Sequence, residues 1–171
     1  MSAQNVMRIA QGLYENGYIT YMRTDSVHLS SEAITASRNE IKSLFGDNYL
    51  PSSAIQYSGK VKNAQEAHEA IRPAGSKFKH PDELKNKVNA DELKLYKLIW
   101  KRTLASQMKS AQIERTNLTI SNGQYIFEAK GKVVTFPGFL KVYVEGVDLS
   151  LIHISEPTRR RGISYAVFCL K

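Results

Sequence analysis

Apolar positions recur along this chain with two different periods. Over the first stretch the period is helical. Val6, Ile9, Ala10, Leu13 and Tyr14 share one face, which predicts a helix over residues 4–16 with Gly17 as its stop. Tyr18-Ile19-Thr20-Tyr21 is a short β-prone run of aromatic and β-branched residues, and Thr24-Asp25-Ser26 carries turn and cap chemistry. Ser30 can cap a second helix, with Leu29 and Ile34 placed as a hydrophobic staple. Ile34, Ile41, Leu44 and Phe45 continue that face until Gly46 ends it. Residues 47–63 read as loop, 64–71 as a short helix closed before Pro73, and 73–81 as loop again. Asp91 is placed to cap a long helix running to Met108, with Leu95, Leu98, Ile99 and Leu104 inward.

After residue 109 the period becomes two. Leu118 and Ile120 alternate with polar residues, Asn122-Gly123 marks a hairpin turn, and Tyr125, Phe127 and Ala129 alternate again. Gly131, Pro137 and Gly138 punctuate further short strands. The expected class is α+β: a mainly helical domain over residues 1–109, then antiparallel strands of a second, incomplete domain over 110–148.

Composition narrows the function classes. The 171 residues carry a net charge of +8, with 42% hydrophobic and 23% charged content, which disfavours wholesale disorder and coiled coil. No apolar run approaches the roughly 18 residues of a bilayer span, and Met1-Ser2-Ala3-Gln4-Asn5 lacks the features of a signal peptide. The single cysteine, Cys169, excludes an internal disulfide framework and a cysteine-based zinc site. The default is a soluble intracellular protein, and the basic balance favours an anionic partner.

The tail alters that balance. Leu149 to Arg159 can be encoded by a string that looks like a transposase-type sequencing adapter, and Ile163 to Lys171 resembles the translated far end of the same adapter. Residues 149–171 are therefore set aside as artefactual. They hold Arg159, Arg160, Arg161 and Lys171 against Glu156, so +5 of the net +8 belongs to the rest. The natural protein is expected to continue past Asp148.

Chemistry concentrates in Gly17-Tyr18-Ile19-Thr20-Tyr21-Met22-Arg23-Thr24-Asp25-Ser26. In an extended segment Tyr21 and Arg23 project to the same side. A phenol has a pKa of about 10 and is weakly nucleophilic at neutral pH. A nearby guanidinium stabilises the phenolate and the charge that builds on a phosphoryl group. Phenolate also leaves more readily than an alkoxide, so a phosphotyrosine diester can be attacked again by a sugar hydroxyl. From spacing alone, Tyr18 and Tyr21 could equally pack in a core with Arg23 solvated. A second cluster is Gln65-Glu66-Ala67-His68-Glu69-Ala70-Ile71-Arg72-Pro73. On a helix His68 and Arg72 lie four apart and share a face suited to an anion, and Glu66 and Glu69 are neighbours. An ordinary surface helix with favourable charge pairs would look the same. His68-Glu69 has no downstream histidine at metal spacing, so it is no zinc site.

Taken together these segments carry a resemblance. Thr20-Tyr21-Met22-Arg23-Thr24-Asp25-Ser26 resembles the active-site signature of type IA DNA topoisomerases, and Glu66 to Pro73 is similar to their second signature at the expected distance. Ala10-Gln11-Gly12-Leu13-Tyr14-Glu15 and Leu95-Tyr96-Lys97-Leu98-Ile99-Trp100 are also similar to that family, so the likeness spans nearly all of residues 4–146. Met22 and the Ala70-Ile71-Arg72-Pro73 ending resemble the bacterial topoisomerase I branch.

The resemblance implies a mechanism and a set of roles. Tyr21 would be the nucleophile that forms a 5′-phosphotyrosyl bond with one strand of single-stranded or underwound DNA. Arg23 would hold the scissile phosphate, His68 would contact phosphate, and Arg72 would support it. Gln11, Glu15, Thr20 and Asp25 match positions that line the family's site. Strand passage relaxing negative supercoils, a monomeric complete enzyme with no membrane association, and a bacterial cytoplasmic location at the nucleoid go with the same resemblance. The family's Mg2+ is held by an acidic Asp-x-Asp domain, and this chain has no Asp-x-Asp, so its ligands are expected outside it. Residues 1–109 would be the gate domain bearing the tyrosine and 110–148 part of a β-rich arch. Such a fragment is expected to be inactive alone. The alternative is a non-catalytic single-stranded DNA-binding module, to which Lys60, Lys62, Lys77, Phe78 and Lys79 could add charge and stacking.

Overall fold

The computed structural model describes residues 2–57 and 69–144. The chain divides into two units. One takes the described residues up to Ser110 together with Gly138–Tyr143, and the other holds Ala111–Pro137. Helices make the first and one antiparallel pair of strands makes the second, so the mixed α+β class expected from the pattern is the class observed.

Helix α1 spans Ala3–Glu15, and the Ser2 hydroxyl accepts the Asn5 N–H at its start. Ile9, Ala10 and Leu13 are buried along it. It stops because Gly17 adopts φ +69°, which glycine reaches without steric cost, and this lets the Tyr18 N–H return to the Leu13 carbonyl. Tyr14 was expected inward but lies at the margin of the face, 42% exposed.

Helix α2 spans Ser31–Phe45, and Ser30 caps it by accepting the Ala33 N–H. Its buried side differs from the expected one. Ala33, Ala36, Ser37 and Ile41 point inward while Leu44 is exposed. Small residues let the helix approach the core closely, and the Ser37 hydroxyl is satisfied within the helix by donating to the Ala33 carbonyl.

Helix α3 spans Ala90–Ser106. Asn89, not Asp91, is its cap. Asn89 Oδ1 accepts the Glu92 N–H and Glu92 Oε2 accepts the Asn89 N–H, each at 2.9 Å, which satisfies two end donors reciprocally. Asp91 sits in the first turn, where the helix dipole favours a negative charge. The buried side is Tyr96, Trp100, Thr103 and Leu104, with Leu98 47% exposed. Aromatic anchors therefore replace part of the expected leucine stripe. Tyr96 tolerates burial because its hydroxyl donates to the Lys79 carbonyl at 2.7 Å. With Leu13, Ile19, Ile41, Phe78 and Leu84 these side chains form the core. Phe78 is thus unavailable for stacking on a nucleic acid, while Lys79 lies over the Tyr18 ring at 4.9 Å.

Single-turn helices occupy Asp47–Tyr49 and Pro81–Leu84. A third, Gly138–Lys141, stands where further strands were expected. There the Phe139 N–H donates to the Lys109 carbonyl at 2.9 Å, which returns the chain to the helical unit.

In the other unit β1 (Gln112–Asn122) pairs antiparallel with β2 (Tyr125–Phe136), which runs unbroken through Gly131. Asn122 pairs with Tyr125, so the loop is Gly123-Gln124, with φ +63° at Gly123. The register aligns Leu118 with Ala129 and Ile120 with Phe127 on one face, and Arg115 with Lys132 and Asn117 with Lys130 on the other. Among the described residues no helix is long and apolar enough to cross a membrane.

The direction of α3 is testable. Leu104→Ala should destabilise the chain by about 3 kcal/mol, the usual cost of emptying a buried leucine site, while Leu98→Ala should cost less than about 0.5 kcal/mol. Urea unfolding of the two variants checks this, and the reverse order would contradict the helix orientation.

Candidate active site

Local pairing delivers the tyrosine segment to a second piece of chain far away in sequence. After Gly17 the backbone runs extended, and Ile19 forms an antiparallel bridge with Pro73. The Thr20 N–H donates to the Arg72 carbonyl, and the Ala74 N–H donates to the Tyr18 carbonyl, both at 2.9 Å. The Thr20 hydroxyl donates to the Ala70 carbonyl at 2.9 Å and accepts the Arg72 N–H at 2.9 Å. A β-branched side chain thus extends the ladder at the residue before Tyr21.

The tyrosine that follows is half-buried. Its ring packs against the core and meets the Tyr14 ring edge to face, with centroids 5.4 Å apart. Met22 is buried and Arg23 exposed, and the chain bends at these two residues. Asp25 is exposed. Gln11 and Glu15 flank Tyr14 on α1, and Gln11 Nε2 donates to Glu15 Oε1 at 2.8 Å. Of the expected site residues, the fold therefore joins Thr20 to Arg72 and Gln11 to Glu15, and sets Tyr21 against the helix that carries the latter pair.

Arg72 departs from its expected setting. Residues 69–72 are not helical, because Pro73 follows and the Thr20 strand claims their backbone. Arg72 is only 5% exposed. Its Nε donates to Glu69 Oε1 at 2.9 Å and a terminal nitrogen reaches the same oxygen at 2.6 Å. The other terminal nitrogen donates to the Pro73 and Gly75 carbonyls. Glu69 Oε2 accepts the Ser30 N–H at 3.1 Å, and the Ala70 N–H donates to the His28 carbonyl at 2.8 Å. Burial pushes the Glu69 carboxyl up, but hydrogen bonds from Arg72 and Ser30 outweigh it and hold its pKa below the ordinary carboxylate value. His68, Lys60, Lys62 and the tail at 149–171 lie outside the described residues. Glu69 and Tyr14 are the supports that spacing did not single out: Glu69 reads as half of a surface pair, and Tyr14 as core.

Tyr96 offers a contrast. Burial raises its phenol pKa, with the nearby Glu83 and Glu40 carboxylates adding to the effect, so it stays protonated. Tyr21, by contrast, is only half-buried. Among the described residues no three His, Cys, Asp or Glu side chains are grouped so as to hold a metal ion.

A family model described as DNA topoisomerase matches residues 1–155. The chain belongs to the DNA topoisomerase family. It is 54% identical over 152 residues to DNA topoisomerase 1 of Mycolicibacterium smegmatis, covering 86% of this chain and 16% of that protein. It is 52% identical over 163 residues to DNA topoisomerase 1 of Streptomyces coelicolor, covering 92% of this chain and 17% of that one. In structure it resembles full-length topoisomerase I from Thermotoga maritima, with TM-score 0.70 and 36% identity, covering 94% of this chain and 26% of that one. The chain thus spans about a sixth of the length of the curated topoisomerases it matches.

The ion pair of this topoisomerase segment makes a pH prediction. Because the folded Glu69 pKa is lowered, its stabilisation is fully present above the ordinary value of 4.5 and is lost as pH falls below it. Glu69→Gln should therefore melt below the parent chain at neutral pH, and the gap should close as pH falls below the ordinary carboxylate value. Thermal melting of both proteins across that range checks it; a gap independent of pH would contradict the assignment.

Proposed function

We propose that this chain carries the strand-cutting tyrosine of a type IA DNA topoisomerase. The Tyr21 phenolic oxygen attacks a backbone phosphorus of single-stranded or underwound DNA. The P–O3′ bond breaks, a 5′-phosphotyrosyl ester forms, the phenolic proton departs and the released 3′ oxygen takes up a proton. Attack by that 3′-hydroxyl reverses every step, since a phenolate with a conjugate acid of pKa about 10 is a better leaving group than a sugar alkoxide. Between the two steps another strand passes, which relaxes negative supercoils. Arg23 grips the phosphate and stabilises its developing charge. His68, Gln11, Glu15 and Asp25 complete the DNA-facing set by resemblance. Action as a monomer at the bacterial nucleoid belongs to the same reading.

One observation supports it above the rest: the half-buried Tyr21 follows directly on Thr20, which is hydrogen-bonded to Arg72, and the exposed Arg23 lies two residues on. A backbone anchored at the preceding residue holds a nucleophile steady. Mg2+ belongs to the proposed complete enzyme, with ligands outside this chain; the described residues offer it no cluster, and no step here runs through it.

Two measurements test the reading. With residues 2–144 placed in the matching region of a full-length relative, Tyr21→Phe should abolish relaxation and covalent adduct while oligonucleotide affinity stays within about threefold, because only the attacking oxygen is lost. Relaxation by the Phe variant would overturn the assignment. The 171-residue chain alone, incubated with single-stranded DNA and magnesium, should bind without a covalent linkage. Robust adduct there would show that the segment needs nothing else.

A further inference from the structure

We infer that Glu69 and Arg72 are positioning residues for Tyr21, a buried charged clamp that holds both ends of the loop bearing the chemistry. The inference rests on the reading of Tyr21 as nucleophile. The loop from Tyr21 to Ser30 carries Tyr21, Arg23 and Asp25, and contains no helix or strand. Its start is tied to the 70–72 segment through Thr20, by the hydroxyl and by the backbone. Its end is tied to the same segment, the His28 carbonyl by the Ala70 N–H and the Ser30 N–H by Glu69 Oε2. Four residues, 69–72, therefore fix where the loop begins and where it stops. What fixes those four residues is the Arg72 guanidinium closing onto Glu69 at one side and onto the Pro73 and Gly75 carbonyls at the other.

The arrangement also removes Arg72 from direct work on DNA. A guanidinium has five N–H groups; three side-chain hydrogen bonds run to Glu69, Pro73 and Gly75, and the remaining terminal nitrogen pairs with the Glu69 carboxylate. No parallel pair is left to fork a phosphate, which is how arginine grips that group. A buried ion pair is a poor device for stability alone, since well-packed apolar residues often do as well. What it supplies is one geometry, and reaction rates respond steeply to that: misplacing a reacting group by about 1 Å can cost about 100-fold.

The test uses the same full-length enzyme carrying residues 2–144. Glu69→Gln keeps the shape and removes the charge, and Arg72→Lys keeps the charge and removes the fork. In each, the single-turnover cleavage rate of a single-stranded oligonucleotide should fall about 10- to 100-fold while affinity for that oligonucleotide changes less than about threefold. Circular dichroism and thermal melting establish that the variants are folded at the assay temperature. Unchanged rates in folded variants would overturn the inference, and so would affinity falling in parallel with rate, because that marks Arg72 as a DNA contact. Should both variants fail to fold, the far side of the clamp decides: Thr20→Ser keeps the bridging hydroxyl and should keep the rate, whereas Thr20→Val should lose it, and equal rates would overturn the proposal. Tyr21→Phe in the same enzyme separates the two ideas. A Phe variant that still cleaves removes the nucleophile and this inference with it, whereas a dead Phe variant beside fully active clamp variants removes the clamp alone.

Discussion

A guanidinium withdrawn from water must be answered by the groups around it, and here that requirement shapes the whole neighbourhood of the reactive loop. Leaving a buried charge unpaired costs several kcal/mol, so Arg72 cannot sit among the core elements without a carboxylate and several carbonyls turned toward it. Glu69, Pro73 and Gly75 supply them. Because all four of these residues fall within seven positions of chain, satisfying the charge gives the segment one shape. That shape offers its edge to Thr20. The segment that carries Tyr21 is thereby held by a partner roughly 50 residues away in sequence, and not by helix propensity or hydrophobic patterning.

This long reach explains which parts of the molecule can be read from the order of residues. Caps and stops are local chemistry, so Ser30, Gly17 and Gly46 were legible as helix boundaries and the Gly123 turn lay within one residue of its expected centre. Helix faces were less so. In α2 the inward residues are Ala33, Ala36 and Ser37, whose low hydrophobicity does not mark them against Ile34 or Leu44. In α3 the anchors are Tyr96 and Trp100, whose polar atoms obscure their burial until a partner such as the Lys79 carbonyl is known. The stretch from Glu69 to Arg72 suggested a helix because its residues favour one, and only the pairing with Thr20 reveals why it is extended. Tyr21 and Arg23 could be singled out from chemistry and resemblance; the support beneath them, Glu69 and Tyr14, could not, since a surface pair and a core tyrosine would be written with the same letters.

Two phenols in the same unit show how environment divides labour between identical side chains. Tyr96 fills the core and gives its proton to the Lys79 carbonyl, so burial raises its pKa and leaves it a packing residue. Tyr21 has part of its ring against that same core and an aromatic edge from Tyr14, which restricts the ring without enclosing it. The proposed role of Tyr21 as a nucleophile for a polymer asks for this intermediate condition. A fully exposed ring would sample many rotamers, and a fully buried one could not reach phosphorus. The cost of ordering the ring is met in advance by packing, which is the part of a reaction barrier that a fold can remove before substrate arrives.

The hairpin obeys a different economy. Its register gathers Leu118, Ile120, Tyr125, Phe127 and Val133 on one face, all more than half exposed, while Arg115, Lys130 and Lys132 line the other. Cross-strand pairs of this kind contribute only about 0.2–1 kcal/mol each, and an isolated two-stranded ribbon is marginally stable in water. The division is incomplete, because Ile113, Ile126 and Val134 lie on the basic face. In the helical unit the apolar side chains meet one another around Leu104 and Tyr96, and the Glu69–Arg72 pair proposed to position Tyr21 lies within it.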